Sequence, residues 1–376
     1  MKSSTGTRRR LTYAATGVNR NLRERSRETI ATRLLRDSSA YRFGKPVHLP
    51  FGTVYPARAP RDTFYDLQIE GVGTKTLLAE LTGNYETIGI DGVAMAVNDA
   101  IRSGSRPLLI SDAIHIAKPD IKVGSLIKGV RTGAKISGCI LASGETGNVS
   151  ELLHSEMTKS SPPFDLMVSC IGVAKKTELI MGEIALGDSI IGLRSSGIHS
   201  NGLSLARRVL LKPWGGEYDP WTKHPTIGRA IVDELMEPTA IYARAISRVQ
   251  ESVNIKAAIH ITGDGFAKFR RLLVWQRKLK HSRVDLGFKF EGLTPVPGIF
   301  RLIYETARYR RTPISMAEMF RTFNMGYGFG IIVAKKDTDS ALDSLNMHGR
   351  AEKIGQVSAD GQIMVHAPYF EKPIRL

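Results

Sequence analysis

The sequence predicts an α+β protein of two domains, and three observations carry that expectation. The chain has 376 residues, too many for one ordinary hydrophobic core and enough for two. Short apolar runs with strand-like alternation mix with segments whose apolar residues recur at helical spacing. The two kinds follow one another without the strict strand–helix–strand repeat of a doubly wound sheet.

The elements read as follows. Residues 1–60 form a basic, mostly irregular segment with one amphipathic helix over Asn21–Arg36, and Pro46, Pro50, Pro56 and Pro60 break up its end. Arginines crowd its start and no acid precedes Glu24. That pattern imitates a transit peptide but lacks the apolar stretch of a secretory signal, so a retained basic arm is expected. Phe64–Ile69 alternates as a strand and runs into Glu70-Gly-Val-Gly-Thr-Lys75. Leu77–Leu81 starts a short helix. Ile90–Ile101 carries Val93, Ala94, Val97 and Ile101 at helical spacing. A strand over Leu108–Ile116, a helix over Val123–Ile136 and a short strand over Cys139–Ala142 lead into Ser143-Gly-Glu-Thr-Gly147. After the Ser160-Ser-Pro-Pro163 loop comes a strong strand, Asp165–Ala174. A boundary within Lys175–Gly182 separates an N-terminal domain, 61–178, from a C-terminal one, 179–376.

In the second part, the strand Asp188–Leu193 enters the turn Ser195–Gly202, and Leu203–Leu211 is helical. Ile227–Val249 reads as a longer helical region, kinked or split near Pro238. The strand Ala257–Ile261 enters Thr262-Gly-Asp-Gly265, and Phe266–Leu273 is helical. Gly330–Ala334, Asp337–Met347 and Ala351–Val357 follow as strand, helix and strand.

Composition narrows the class. Hydrophobic residues make up 42% and charged residues 24%, as in ordinary soluble proteins. No apolar run approaches the ~20 residues of a membrane span. Two cysteines, Cys139 and Cys170, give neither a disulfide framework nor a zinc spacing and suit a reducing cytoplasm. The net charge of +17 admits a nucleic-acid protein or an enzyme of polyanionic nucleotides. The basic residues are dispersed and no zinc finger, basic zipper or single-strand signature is present, so nucleic acid is not expected.

The common nucleotide and hydrolase templates fail. Gly71-Val-Gly-Thr-Lys75 is too short for a phosphate loop, and Gly326-Tyr-Gly-Phe-Gly330 breaks the dinucleotide spacing. What remains is a set of acids beside glycines: Glu70, Asp91, Asp99, Asp112 and Glu145. Such carboxylates can hold Mg²⁺, and Lys75 could offset charge on a transferring phosphoryl group. Taken singly, each acid suits a solvated or capping role better; only the combination points to a metal. The turn Ser195–Gly202 exposes backbone N–H groups ahead of a helix and would suit a 5′-phosphate, or would simply be a helix cap by Ser200 or Asn201. Thr262–Gly265 carries the same two readings.

Together these segments resemble one family. Gly71-Val-Gly-Thr-Lys75, Thr87-Ile-Gly-Ile-Asp91, Val97-Asn-Asp99 and Gly144-Glu-Thr146 occur in the order found in aminoimidazole ribonucleotide synthetase, the phosphoribosylformylglycinamidine cyclo-ligase. So do Ser195–Gly202, Glu237-Pro-Thr-Ala-Ile-Tyr242, His260-Ile-Thr-Gly263, Met319–Gly326 and Lys353-Ile-Gly355, and Tyr13–Val18 is similar to the family's opening. The first four motifs also resemble selenophosphate synthetase, thiamine-monophosphate kinase and formylglycinamidine ribonucleotide synthase; the later ones resemble the cyclo-ligase in particular.

The resemblance implies an N-terminal domain whose sheet pairs across a homodimer, with ATP and Mg²⁺ near that interface. The implied substrate is formylglycinamidine ribonucleotide, whose formyl oxygen ATP would phosphorylate before ring closure. Lys75, His199 and His260 would be catalytic, with His199 shuttling a proton near its ordinary pKa of about 6.5. Glu70, Gly71, Gly73, Thr74, Lys75, Asp91, Asn98, Asp99, Gly144, Glu145 and Thr146 would hold ATP, with Asp91, Asp99 and Glu145 on the metal. Ser195, Ser196, Gly197, His199, Ser200, Asn201, Gly202, Thr262 and Gly263 would hold the substrate. The chain departs from the family pattern at Glu70, where Asp is usual, after Thr146, and at Asp264, where glycine is usual and a carboxylate would repel a phosphate. A paralogue that phosphorylates another small molecule, or a non-catalytic nucleotide- or nucleic-acid-binding protein, are the alternatives.

Overall fold

The computed structural model describes residues 11–12, 45–56, 62–118, 122–156, 162–279, 285–367 and 372–376. The helix expected at Asn21–Arg36 and the Tyr13–Val18 motif lie outside the described residues. The architecture is α+β, with two separate mixed sheets and helices packed on them.

The first sheet holds β1 (Val47–Leu49), β2 (Gly52–Pro56), β3 (Thr63–Gly71), β4 (Arg106–Ile116), β5 (Ile140–Asn148) and β6 (Phe164–Lys175) in the order β1-β2-β3-β6-β4-β5. β6 runs antiparallel to both β3 and β4, while β5 joins β4 in parallel. Period-two patterning sets its two faces. Phe164, Leu166, Val168 and Cys170 of β6 are buried beneath helices α1 (Thr76–Thr82), α2 (Glu86–Ala100) and α3 (Lys122–Ser137). The opposite face leaves Tyr65, Leu67 and Ile69 of β3 exposed.

Two glycines let α2 and α3 cross closely. A Cβ on Gly129 would lie 1.9 Å from the Glu86 carbonyl oxygen, and one on Gly89 would lie 2.2 Å from that of Leu126. On the sheet side, a Cβ on Gly92 would lie 2.8 Å from the Val168 side chain of β6, so α2 also packs closely on the sheet. Its inner face therefore brings Asp91, Asn98 and Asp99 to the other half of the chain.

The second sheet holds β7 (Ser189–Arg194), β10 (Ile255–His260), β11 (Gly287–Phe290), β12 (Tyr327–Val333), β13 (Ala351–Ser358), β14 (Ile363–Val365) and β15 (Ile374–Arg375), in the order β10-β12-β7-β13-β11-β14-β15. A small ribbon pairs β8 (Lys223–His224) with β9 (Arg229–Ala230). Helices α4 (Leu203–Leu210), α5 (Ile231–Leu235), α6 (Ala243–Gln250), α7 (Arg270–Leu279), α8 (Gly298–Tyr309), α9 (Met316–Thr322) and α10 (Thr338–Asn346) accompany it. Every residue of β12 is buried, as a strand between two neighbours in a covered sheet requires. One continuous apolar core runs through both halves.

Three expectations need correction. The strand expected to end at Ala142 does not stop there, because β5 continues to Asn148 with its hydrogen bonds supplied by β4. Of the kinked or split helix expected over Ile227–Val249, the split near Pro238 is what forms, and the start of the stretch is not helical. It divides into β9, α5 and α6, with Met236–Tyr242 in no regular element, because that stretch bonds its backbone to α2 instead. The helix expected from Phe266 opens as a 3₁₀ turn, Gly265–Phe269, and continues as α7. Strand β11 and helices α8 and α9 had no counterpart in the sequence reading.

Candidate active site

The site begins with a buried carboxylate. Asp91 and Lys75 are both fully buried, and the Lys75 ammonium lies 3.0 and 2.8 Å from the two Asp91 oxygens. An ionised carboxylate in that position must be paired and hydrogen-bonded to be tolerated. Oδ1 also accepts from the Thr239 amide at 2.8 Å, the Thr239 hydroxyl at 2.6 Å and the Ser200 hydroxyl at 3.1 Å. Lys75 donates besides to the Glu237 carbonyl at 2.7 Å. Two turns further along α2, the Asn98 amide donates to Ala240 O and accepts from Tyr242 N, at 2.8 and 3.0 Å. The segment Glu237–Tyr242 is thus a strap that fastens the second half of the chain to α2.

The turn Ser195–Gly202 is fixed to the same strap. His199 adopts a left-handed backbone, φ 62°. Its Nε2 accepts from the amides of Ser196 and Ala240 at 3.2 and 3.4 Å, which places its proton on Nδ1. Burial drives its pKa well below 6.5, helped by the positive charge of Lys75. His199 is therefore a fixed neutral acceptor, and the expected shuttle near 6.5 does not fit. Ser195 bonds Asn324 at 3.1 Å, closing the turn against the end of α9. The cap of α4 is Gly202, at φ 76°, with no side-chain hydrogen bond, so Ser200 and Asn201 are not its caps. A Cβ on Gly202 would lie 2.4 Å from the Phe323 ring, and one on Gly197 3.5 Å from the Glu237 side chain. Gly71 ends β3, and Gly73 turns the chain at φ 57°. Thr74 stays at the surface, joined to Ser204 at 3.1 Å and to Arg207 through its carbonyl at 2.6 Å.

A second buried acid lies at the end of α2. Asp99 Oδ1 meets His260 Nδ1 at 2.7 Å and Oδ2 meets Arg102 at 2.6 Å. Burial raises the Asp99 carboxyl, but Arg102, Lys268 and His260 outweigh it and hold Asp99 well below the usual carboxylate range. Burial takes His260 down to about 4, so it is neutral at pH 7 and donates through Nδ1. Beside this pair opens a strongly polar cleft of about 250 Å³. Its lining includes Glu70 and Asp99 from the first half and Asn201, Thr262, Gly263 and Lys268 from the second. Burial and the neighbouring Asp99 push Glu70 up to about 7. Asp264 also lines this cleft, with Arg271 3.7 Å away to offset its charge.

The expected metal set is not brought together. Asp91 is committed to Lys75, and Asp99 to Arg102 and His260. Glu145 lies exposed on edge strand β5, where it accepts from the Thr146 amide at 3.2 Å. Among the described residues, no three His, Cys, Asp or Glu side chains gather around one point. Gly144 lies directly beneath Asp112: a Cβ there would fall 2.8 Å from Oδ1. Asp112 Oδ2 is buried without a hydrogen-bond partner among the described residues, and burial raises its pKa.

Residues 54–174 match the family model "AIR synthase related protein, N-terminal domain", and residues 185–367 match "AIR synthase related protein, C-terminal domain". The phosphoribosylformylglycinamidine cyclo-ligase of Thermococcus gammatolerans is 35% identical over 368 residues, covering 94% of this chain and 98% of its own. The chain belongs to the phosphoribosylformylglycinamidine cyclo-ligase family. The family's protein from Pyrococcus furiosus is 34% identical over 366 residues, covering 94% of this chain and 97% of its own. Among solved structures, hydrogenase maturation protein HypE in complex with ATP covers 86% of each chain at TM-score 0.56 and 13% identity. The protein tt0281 from Thermus thermophilus covers 89% of this chain and 96% of its own at TM-score 0.56 and 15% identity. At such identities the likeness shows the fold alone.

Within this cyclo-ligase family member, four side chains of the site escaped the sequence reading: Thr239, Arg102, Lys268 and Arg271. Thr239 lay inside a quoted motif but had no role. Arg102 follows Asp99 by three positions on a helix, a spacing that could have signalled the pair. Nothing local marks Lys268 and Arg271.

The buried pair yields a direct expectation. Lys75→Met leaves Asp91 buried without its cation, which costs about 3–5 kcal/mol. Chemical denaturation should show that loss; a variant within about 1 kcal/mol of wild type would contradict the geometry.

Proposed function

We propose that this chain closes the imidazole ring of formylglycinamidine ribonucleotide, using ATP and releasing ADP, phosphate and 5-aminoimidazole ribonucleotide, as a step of purine biosynthesis. One observation carries the reading: the polar cleft joins Glu70 and Asp99, from the motifs expected at ATP, to Asn201, Thr262 and Gly263, from those expected at the substrate. A reaction that moves a phosphoryl group from one ligand to the other needs both at one opening.

ATP supplies the phosphoryl group that turns the formyl oxygen into a leaving group. The chain's own residues do the rest. Asp91 and Lys75 fix the strap, and the strap and His199 fix the turn that presents Asn201. In our reading His260 receives a proton during ring closure: it is neutral, its Nε2 is buried without a hydrogen-bond partner among the described residues, and Asp99 would stabilise the imidazolium. Mg²⁺ is the ordinary companion of ATP, but Asp91, Asp99 and Glu145 do not fit one ion in this conformation, and no step is routed through it.

A homodimer belongs to the same reading. Leu67 and Ile69 of β3 are 65% and 63% exposed, on the sheet face that no described helix covers. Such an apolar sheet face marks an association surface. A partner there would lie against the sheet that carries Glu145 and Thr146.

The reading is tested by incubating the chain with Mg-ATP and formylglycinamidine ribonucleotide. Matched release of ADP and 5-aminoimidazole ribonucleotide is expected. A stable phosphorylated product would assign the chain to small-molecule kinases instead, and no turnover would reject the reading. Sedimentation equilibrium tests the dimer: wild type should sediment at twice the chain mass and the variant Leu67→Glu/Ile69→Glu as a monomer. Equal masses for the two would overturn the assigned surface.

A further inference from the structure

The sequence offers Lys75 as the cation for the transferred phosphoryl group, yet the structure commits that ammonium elsewhere. It is fully buried, paired with Asp91 and bonded to the Glu237 carbonyl. The cleft holds a different amine. Lys268 stands on the 3₁₀ turn Gly265–Phe269 and is buried. Its ammonium donates to the His260 carbonyl at 2.9 Å and to the Thr262 hydroxyl at 2.8 Å. Two of the three N–H groups of a lysine ammonium are thereby spent, and the side chain lines the cleft with Glu70, Asp99 and Asn201.

The other cations of the cleft are committed to acids. Arg102 binds Asp99 at 2.6 Å, and Arg271 stands 3.7 Å from Asp264. A second donor agrees with Lys268. The side-chain nitrogen of Asn201, another lining residue, is buried with no hydrogen-bond partner among the described residues. A buried donor is left so at a cost unless a ligand supplies the acceptor. With Asp99 offset by Arg102 and Asp264 by Arg271, an ammonium and an amide N–H in this cleft suit a compact, acceptor-rich anion, and a phosphoryl group has that chemistry.

We propose that Lys268, with Asn201 beside it, holds the phosphoryl group as it passes from ATP to the substrate oxygen, the task the sequence suggests for Lys75. The assignment rests on the cyclo-ligase reading. In the step, the bond from the terminal phosphorus to the bridging oxygen of ADP breaks as the formyl oxygen bonds to that phosphorus. Lys268 forms no bond to phosphorus. It offsets the charge on the phosphoryl oxygens, as an electrostatic donor does.

The test is single-turnover ADP formation by the full chain with Mg-ATP and formylglycinamidine ribonucleotide, in wild type, Lys268→Ala and Lys268→Arg. Removing one such donor slows chemistry by about 10²–10³-fold. Lys268→Ala should show that loss, with KM for ATP within about threefold, and methylammonium in the assay should restore part of the rate. Lys268→Arg keeps the charge and should stay within about tenfold of wild type. A folded Lys268→Ala at the wild-type rate, or one that is slow and unmoved by methylammonium, overturns the proposal. Should Lys268→Ala not fold, Lys268→Arg decides: a folded arginine variant slowed beyond about a hundredfold overturns it. Wild type that releases no ADP with this nucleotide rejects the cyclo-ligase reading itself, an outcome distinct from a working wild type matched by Lys268→Ala.

Discussion

The molecule is organised around a carboxylate with no access to water. Asp91 sits on the inner face of α2, between the two sheets. An isolated charge there would cost several kcal/mol. Its compensation comes from both directions along the chain. Lys75 arrives from the turn after β3, and Thr239 and Ser200 arrive from the second half. A buried ion pair is not in itself a strong source of stability, since apolar residues of the same shape can do as well. Its effect is geometric. The strap bonds Asp91, Lys75 and Asn98 at once, so a directional polar network joins the halves alongside the shared, non-directional apolar core.

The cleft follows from that placement. With the strap fixed, His199 can accept from both Ser196 and Ala240, and Asn201 is held at the opening. From the end of α2, Asp99 reaches His260 on edge strand β10 and Arg102 one turn on. The two histidines expected to exchange protons are therefore unlike each other. His199 is a fixed acceptor inside a turn. His260 is an oriented imidazole with a carboxylate at its back, the arrangement that suits proton transfer.

Much of the fold was legible because its signals are local. Alternation along β6, helical spacing along α2 and the glycines of Gly71–Lys75 each report on their own neighbourhood. The site residues quoted from motifs do converge in part: Glu70, Asp99, Asn201, Thr262 and Gly263 share one cleft. What failed to show is the partnering of charges across the chain. Asp91, Asp99 and Glu145 read alike as acids beside glycines, but the first two are matched to Lys75 and Arg102 while Glu145 stands on an edge strand. Spacing cannot reveal that Lys75 is spent, because the Glu237 carbonyl that binds it is 162 residues away. Lys268 was invisible for the same reason. Only the start of edge strand β5 was legible, because the glycines and polar residues of its second half lack strand propensity and only β4 makes that half a strand.

The central claim is that Asp91 physically couples the halves through Thr239. A double-mutant cycle measures this most directly, with Asp91→Asn, Thr239→Val and the double variant compared with wild type by chemical denaturation. The two changes should be non-additive, with a coupling above about 1 kcal/mol, as for residues within one hydrogen-bonded network. Additivity within about 0.3 kcal/mol would show that the strap is held by something other than this carboxylate.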